Sequence, residues 1–119
     1  MNDALDAALR TAEELELETR GRRTGRPHRV TVWFAYDPPN IWLRTDPDAD
    51  WLRNLVRDPH CRIRVGASVA DAVRVAIADE TAALLDVVAL WRAKYGQEWV
   101  ADWYVERGRV PVRLRLRTA

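Results

Sequence analysis

The hydrophobic period of the chain changes several times, and each change marks an element. Leu5 and Leu9 lie one helical turn apart, which predicts a helix over residues 2–12 with Asn2 or Asp3 as its cap. Leu15, Leu17 and Thr19 then alternate with Glu14, Glu16 and Glu18, the period of a strand with one wet face. Residues 28–36 are rich in β-branched and aromatic side chains and read as a second strand. The turn Asp37-Pro38-Pro39-Asn40 folds it back on a third strand over residues 41–45. Leu52, Leu55 and Val56 have helical spacing, and Asp58-Pro59 stops that helix. Cys61, Ile63 and Val65 alternate with Arg62 and Arg64, and a turn at Gly66-Ala67-Ser68 leads to a partner strand over residues 69–77. Leu84, Leu85, Val88 and Trp91 form one stripe, which predicts a helix over residues 78–94 capped by Asp79. Residues 97–105 read as a second short helix. In the last strand, residues 110–117, Val110, Val112, Leu114 and Leu116 face one way and Arg113, Arg115 and Arg117 the other.

The order α-β-β-β-α-β-β-α-α-β has no regular β-α alternation, which excludes a doubly wound parallel fold and points to a mainly β, α+β class. With 119 residues the chain fits a single domain over residues 1–119 with a thin core. At 48% hydrophobic and 31% charged residues the composition is globular. No apolar run is long enough for a membrane span, and the polar start lacks a signal peptide's apolar stretch, so a cytoplasmic protein is expected.

A net charge of +1 argues against a protein that coats nucleic acid. Lys94 is the sole lysine among many arginines. That bias fits either phosphate and carboxylate recognition or a compositional habit of the source, and both stay open. Cys61, the single cysteine, reads as a small buried strand residue in preference to a nucleophile. His28 and His60 lie too far apart in sequence to suggest a metal site, and no metal is expected. Asp46-x-Asp48-x-Asp50 has calcium-loop spacing, but Trp51 stands where the turn glycine belongs and Arg57 where the bidentate acid belongs. These acids read as caps at a helix N-terminus. Arg113, Arg115 and Arg117 read as one side of a charge ladder facing Glu14, Glu16 and Glu18.

The richest candidate chemistry is Gly21-Arg22-Arg23-Thr24-Gly25-Arg26-Pro27, a basic glycine turn between two strands. Such a turn is either an ordinary solvated connection or an anion cradle of backbone N–H groups and guanidiniums. Six tryptophans are many for this length; most read as core, with Trp33 and Trp51 as candidates for stacking against a planar ligand.

The run Glu18-Thr19-Arg20-Gly21-Arg22-Arg23-Thr24-Gly25-Arg26-Pro27-His28-Arg29-Val30-Thr31-Val32-Trp33 resembles the signature of the deazaflavin-dependent nitroreductase family. Trp51-Leu52-Arg53-Asn54-Leu55 ahead of Pro59, then Trp103-Tyr104 and Val110-Pro111-Val112, are similar to that family's later segments. The resemblance implies a split β-barrel, here of about six antiparallel strands with flanking helices. It implies the 8-hydroxy-5-deazaflavin coenzyme (F420 type), whose C5 carries a hydride, and a small electron-poor acceptor of the quinone or nitroaromatic type. By the same resemblance Arg22, Arg23, Thr24 and Gly25 hold the phosphate and anionic tail, with His28, Arg44, Thr45 and Asn54 beside them. Val32 and Trp33 border the ring, Trp51 covers a ring face, and Trp103 and Tyr104 line the acceptor side. The family's loop after the third strand is rich in Ser, Lys and Gly, whereas residues 44–50 here are acidic. Flavin mononucleotide (FMN) in a non-catalytic binding protein is therefore the alternative expectation. Split barrels often build their pocket between subunits, so the resemblance also suggests a homodimer, which the sequence does not itself show.

Overall fold

The computed structural model describes residues 3–117, apart from the side chains of Trp99, Trp103 and Tyr104. Four helices, α1 (Asp3–Thr11), α2 (Asp50–Arg57), α3 (Glu80–Tyr95) and α4 (Trp103–Glu106), flank seven strands. The strands are β1 (Glu14–Arg20), β2 (Pro27–Trp33), β3 (Ala35–Asp37), β4 (Asn40–Thr45), β5 (His60–Val65), β6 (Ser68–Val75) and β7 (Val110–Leu116). All pairings are antiparallel, in the order β2-β1-β5-β6-β7-β4-β3.

That order contains the reason the sheet is curled. β2 and β3 are its two edges, yet only Phe34 separates them in sequence. One residue spans at most about 3.6 Å, so the twisted sheet must roll until its edges meet at Phe34. The result is the split β-barrel, mainly β with helices. The expected strand over residues 28–36 is thus two strands, giving seven in place of six. The hairpin at Pro38-Pro39 joins β3 to β4, with Asp37 opposite Asn40. Uniform β propensity hid the break, because Phe34 suits a strand as well as it suits a buried corner.

Phe34 is fully buried, and its backbone groups leave the ladder at this seam. The Tyr95 hydroxyl accepts from the Phe34 N–H (3.2 Å) and lies within hydrogen-bond reach of the Phe34 carbonyl (3.0 Å) and of the Glu13 carbonyl. The Lys94 ammonium donates to the Phe34 carbonyl at 2.8 Å. The end of α3 therefore satisfies the backbone groups that the break frees.

The alternation read from the sequence places Leu15 and Leu17 of β1 with Ile63 and Val65 of β5 inside the barrel. Leu5 and Leu9 of α1 close on the same core. A second cluster sits between α3 and the outer face of β3, with Leu84, Val87, Val88 and Trp91 against Ala35. Leu85 departs from the expected stripe: it is 51% exposed, because the buried face of α3 runs through Leu84, Val88 and Trp91. Asp79 caps α3 by accepting from the Ala82 N–H at 3.0 Å.

Two further expectations are corrected. Residues 97–105 are a single 3-10 turn, Gln97–Trp99, a bend, and then the four-residue α4. The bend buries Val100 against α3 and turns Glu106 inward, which a straight helix would not do. The arginines of β7 do not face the glutamates of β1, because β7 pairs with β4 and β6. The ladder on β1 is instead Arg29–Glu18 (2.9 Å), with Glu16 between Arg29 and Arg64 at 3.9 Å from each.

Candidate functional site

The basic turn is closed on itself. The Gly21 N–H donates to the Arg26 carbonyl (2.8 Å), and the Thr24 hydroxyl accepts from the Arg26 N–H (3.2 Å). Gly25 sits at φ +72°, a conformation that disfavours any side chain. A Cβ on Gly21 would come within 3.0 Å of the Thr24 hydroxyl and 3.1 Å of the Arg26 carbonyl, so a side chain there would press on the closed turn.

Asn54 on α2 holds this turn against the barrel. It is 3% exposed, and its Oδ1 accepts from both the Arg22 N–H (3.1 Å) and the Arg22 guanidinium (3.0 Å). Its Nδ2 donates to the Thr19 hydroxyl on β1 at 3.1 Å. The Arg22 guanidinium also meets the Asp50 carboxylate at 3.1 Å. Asp50 and Asn54 share one face of α2, which explains why two sequence segments that resemble one family converge here.

The turn and α2 border a cleft of about 270 Å3 lined by Arg22, Arg23, Thr24, Arg26, His28 and Asn54, with Asp50 as its one carboxylate. Neither Arg23 nor Arg26 has an ion pair among the described residues, so the cleft is a net cationic surface suited to an anion. The acids of residues 46–50 do not cap α2: Ala49 holds the cap position without a side-chain bond. Asp46 is instead drawn 3.6 Å from Arg109, and Asp50 to Arg22. Two of the three negative charges are thereby balanced locally.

The structure separates the remaining sequence candidates. Gly25 lines a neighbouring cleft with His60 and Arg117. Trp51 is only 7% exposed and packs in the barrel core. Arg44 turns from the turn to Glu106, 3.3 Å away, and over the Trp91 ring; Thr45 pairs with Val110 on β7. Val32 is half-buried against the core, whereas Trp33 is 38% exposed at the far end of β2. The side chains of Trp103 and Tyr104 lie outside the described residues. Cys61 is buried, and desolvation pushes its thiol up to about 12. No group of three or more metal-ligating side chains occurs among the described residues.

Trp33 stacks on Tyr95 with ring centroids 4.1 Å apart and planes 14° from parallel. Together with Arg10, Thr11, Glu13 and Lys94 they line a second cleft of about 600 Å3. Desolvation lowers the Lys94 amine to about 8 against an opposing pull from Glu13, and raises the Tyr95 phenol to about 12. Sequence reasoning found neither residue. The one signal was that Lys94 stands alone among the arginines.

No helix among the described residues is long and apolar enough to cross a membrane. Comparison with curated protein sequences gives no match. Among solved structures, one named F420 reductase superposes with a TM-score of 0.79 at 15% identity, covering 99% of this chain and 97% of that one. An FAD-binding protein from Mesorhizobium loti gives 0.72 at 15% identity, covering 99% and 91%. HutZ, the heme storage protein of Vibrio cholerae, gives 0.70 at 18% identity, covering 98% and 89%. At these identities the likenesses speak for the split barrel alone, a fold that carries different ligands in different proteins. Sequence similarity is more specific: residues 2–116 match the F420H(2)-dependent quinone reductase family, and the chain belongs to that family.

Proposed function

We propose that the chain is a deazaflavin-dependent oxidoreductase that reduces a small electron-poor acceptor of the quinone or nitroaromatic type. The observation that carries this reading is the cationic cleft at the basic turn, with Arg22, Arg23, Arg26 and His28 set against a single carboxylate. It is the part of the molecule suited to a phosphate and an anionic tail.

The residues fit such a coenzyme in a specific division of labour. Arg22 is committed to Asn54 and Asp50, so it shapes the turn, while Arg23 and Arg26 remain for the ligand's charge. β2 runs from this turn to Trp33, so a planar ring extends along the strand towards Val32 and Trp33. When bound, the reduced coenzyme supplies a hydride. The chain's own residues bind the anion, fix the ring's direction and cover it from water. Arg44, held by Glu106, is not assigned a contact with the coenzyme.

The test is a titration followed by tryptophan fluorescence, with the deazaflavin coenzyme and FMN in parallel, on the chain and on Arg23→Ala. Micromolar deazaflavin binding, weakened about tenfold by loss of one charge-assisted contact, supports the reading. Binding of FMN with no deazaflavin binding and no turnover overturns it in favour of a non-catalytic binding protein.

A further inference from the structure

Arg22 is already served by the chain itself. Its guanidinium meets three acceptors of α2: the Asn54 Oδ1 at 3.0 Å, the Asp50 carbonyl at 3.5 Å and the Asp50 carboxylate at 3.1 Å. That carboxylate holds the place on Arg22 that an anionic ligand oxygen would take. Asp50 is also the first residue of α2, so its charge sits at the positive end of that helix. Its side chain is 70% exposed, and it lines the cleft together with Arg23 and Arg26.

The backbone of the turn is committed in the same way. The Gly21, Arg22, Gly25 and Arg26 N–H groups all donate within the chain, to the Arg26 carbonyl, Asn54, the Gly21 carbonyl and the Thr24 hydroxyl. An anion in the cleft is therefore held by guanidinium charge more than by a ring of backbone donors, and its affinity follows the sum of the nearby charges. In that sum Asp50 is the one negative member, against Arg22, Arg23 and Arg26.

We infer that Asp50 sets the class of phosphate the cleft accepts: it disfavours a phosphomonoester relative to a phosphodiester. Near neutral pH a monoester carries close to two negative charges, whereas a diester carries one. A ligand charge about 5 Å from the carboxylate in a water-like medium loses about fourfold in affinity, and the loss multiplies with each further charge. FMN, a monoester, is on the disfavoured side. That this cleft holds the ligand's phosphate rests on the proposed function; the selection by charge goes beyond it.

The experiment titrates phenyl phosphate and its methyl ester, which share a ring and differ by one charge, into the full chain at low salt and about pH 7.5. The backbone N–H signals of residues 21–26, followed by nuclear magnetic resonance, place the binding at the turn. The chains are the native one, Asp50→Asn and Asp48→Asn. Asp50→Asn keeps an acceptor for Arg22 and removes its charge, whereas Asp48→Asn makes the same change of net charge in the same loop outside the lining. Asp50→Asn should tighten the diester about fourfold and the monoester about tenfold or more, with both gains shrinking in about 1 M salt. Equal gains for the two esters, no gain, a loss, or gains matched by Asp48→Asn overturn the role of Asp50 and leave the anion cleft in place. No response of the turn to either ester in any chain overturns the cleft itself, and with it both this role and the proposed function. Absence of deazaflavin binding in the fluorescence titration, with the esters still discriminated, defeats only the proposed function.

Discussion

Asn54 accepts two hydrogen bonds from one residue, Arg22, through the backbone N–H and the guanidinium. A buried amide thus fixes both the path of the basic turn and the aim of its first arginine. Asn54→Leu leaves the Arg22 N–H and the Thr19 hydroxyl without partners at a site that is 3% exposed. The expected cost is about 2–3 kcal/mol, read as a lower urea midpoint at unchanged slope. Anion binding at the turn, measured by titration, should weaken with it, because Asn54 holds Arg22 in place.

Cys61 should be silent in the native protein. Burial that pushes its thiol up to about 12 leaves almost no thiolate at pH 8. Ellman's reagent is expected to give no fast colour in buffer and one equivalent in guanidinium chloride. Fast native reaction would put the thiol at the surface.

The seam should give stability a two-sided dependence on alkaline pH. Lys94 is depressed in the folded state to about 8 from 10.5, so the unfolded chain binds more protons between those values and stability rises with pH there. Tyr95 is raised to about 12 from 10.0, so above pH 10 the folded chain binds more protons and stability falls. The Lys94→Met variant should lack the rising limb and keep the falling one, so subtracting its stability-against-pH curve from that of the native chain should leave the rising limb alone. As the single lysine, Lys94 should also be modified by trinitrobenzenesulfonate near pH 8 faster than an ordinary lysine.

Glu106 is fully buried, 3.3 Å from Arg44 and 3.4 Å from Arg109, and its Oε1 accepts from the Ala101 N–H at 3.1 Å. Glu106→Gln strands two guanidiniums around a neutral amide and should cost about 3 kcal/mol. Replacing Glu106 and Arg44 together by Met should cost less than the sum of the two single changes, measured by thermal unfolding as a double-mutant cycle.

Local pattern determined much of this protein. The alternation of Leu15, Leu17 and Thr19 against glutamates set the inward face of β1. The Asp79 cap followed from residue type and place, and the glycines and arginines of residues 21–26 marked a basic turn between two strands. Each depends on neighbours within a few positions, which is the range over which period and turn chemistry act.

What the sequence left hidden depends on contacts made across the rolled sheet. Nothing local distinguishes Phe34 from a strand residue; it is a corner because the edges of a curled sheet meet there. Arg44 is next to the expected loop in sequence, but the bend at residues 100–102 brings Glu106 to it and removes it from the turn. Trp33 and Trp51 looked alike as stacking candidates, and only packing separated a ring in the core from one on a cleft. Lys94 and Tyr95, some sixty positions from Phe34, reach its backbone because barrel closure exposes hydrogen-bonding groups there that the end of α3 satisfies.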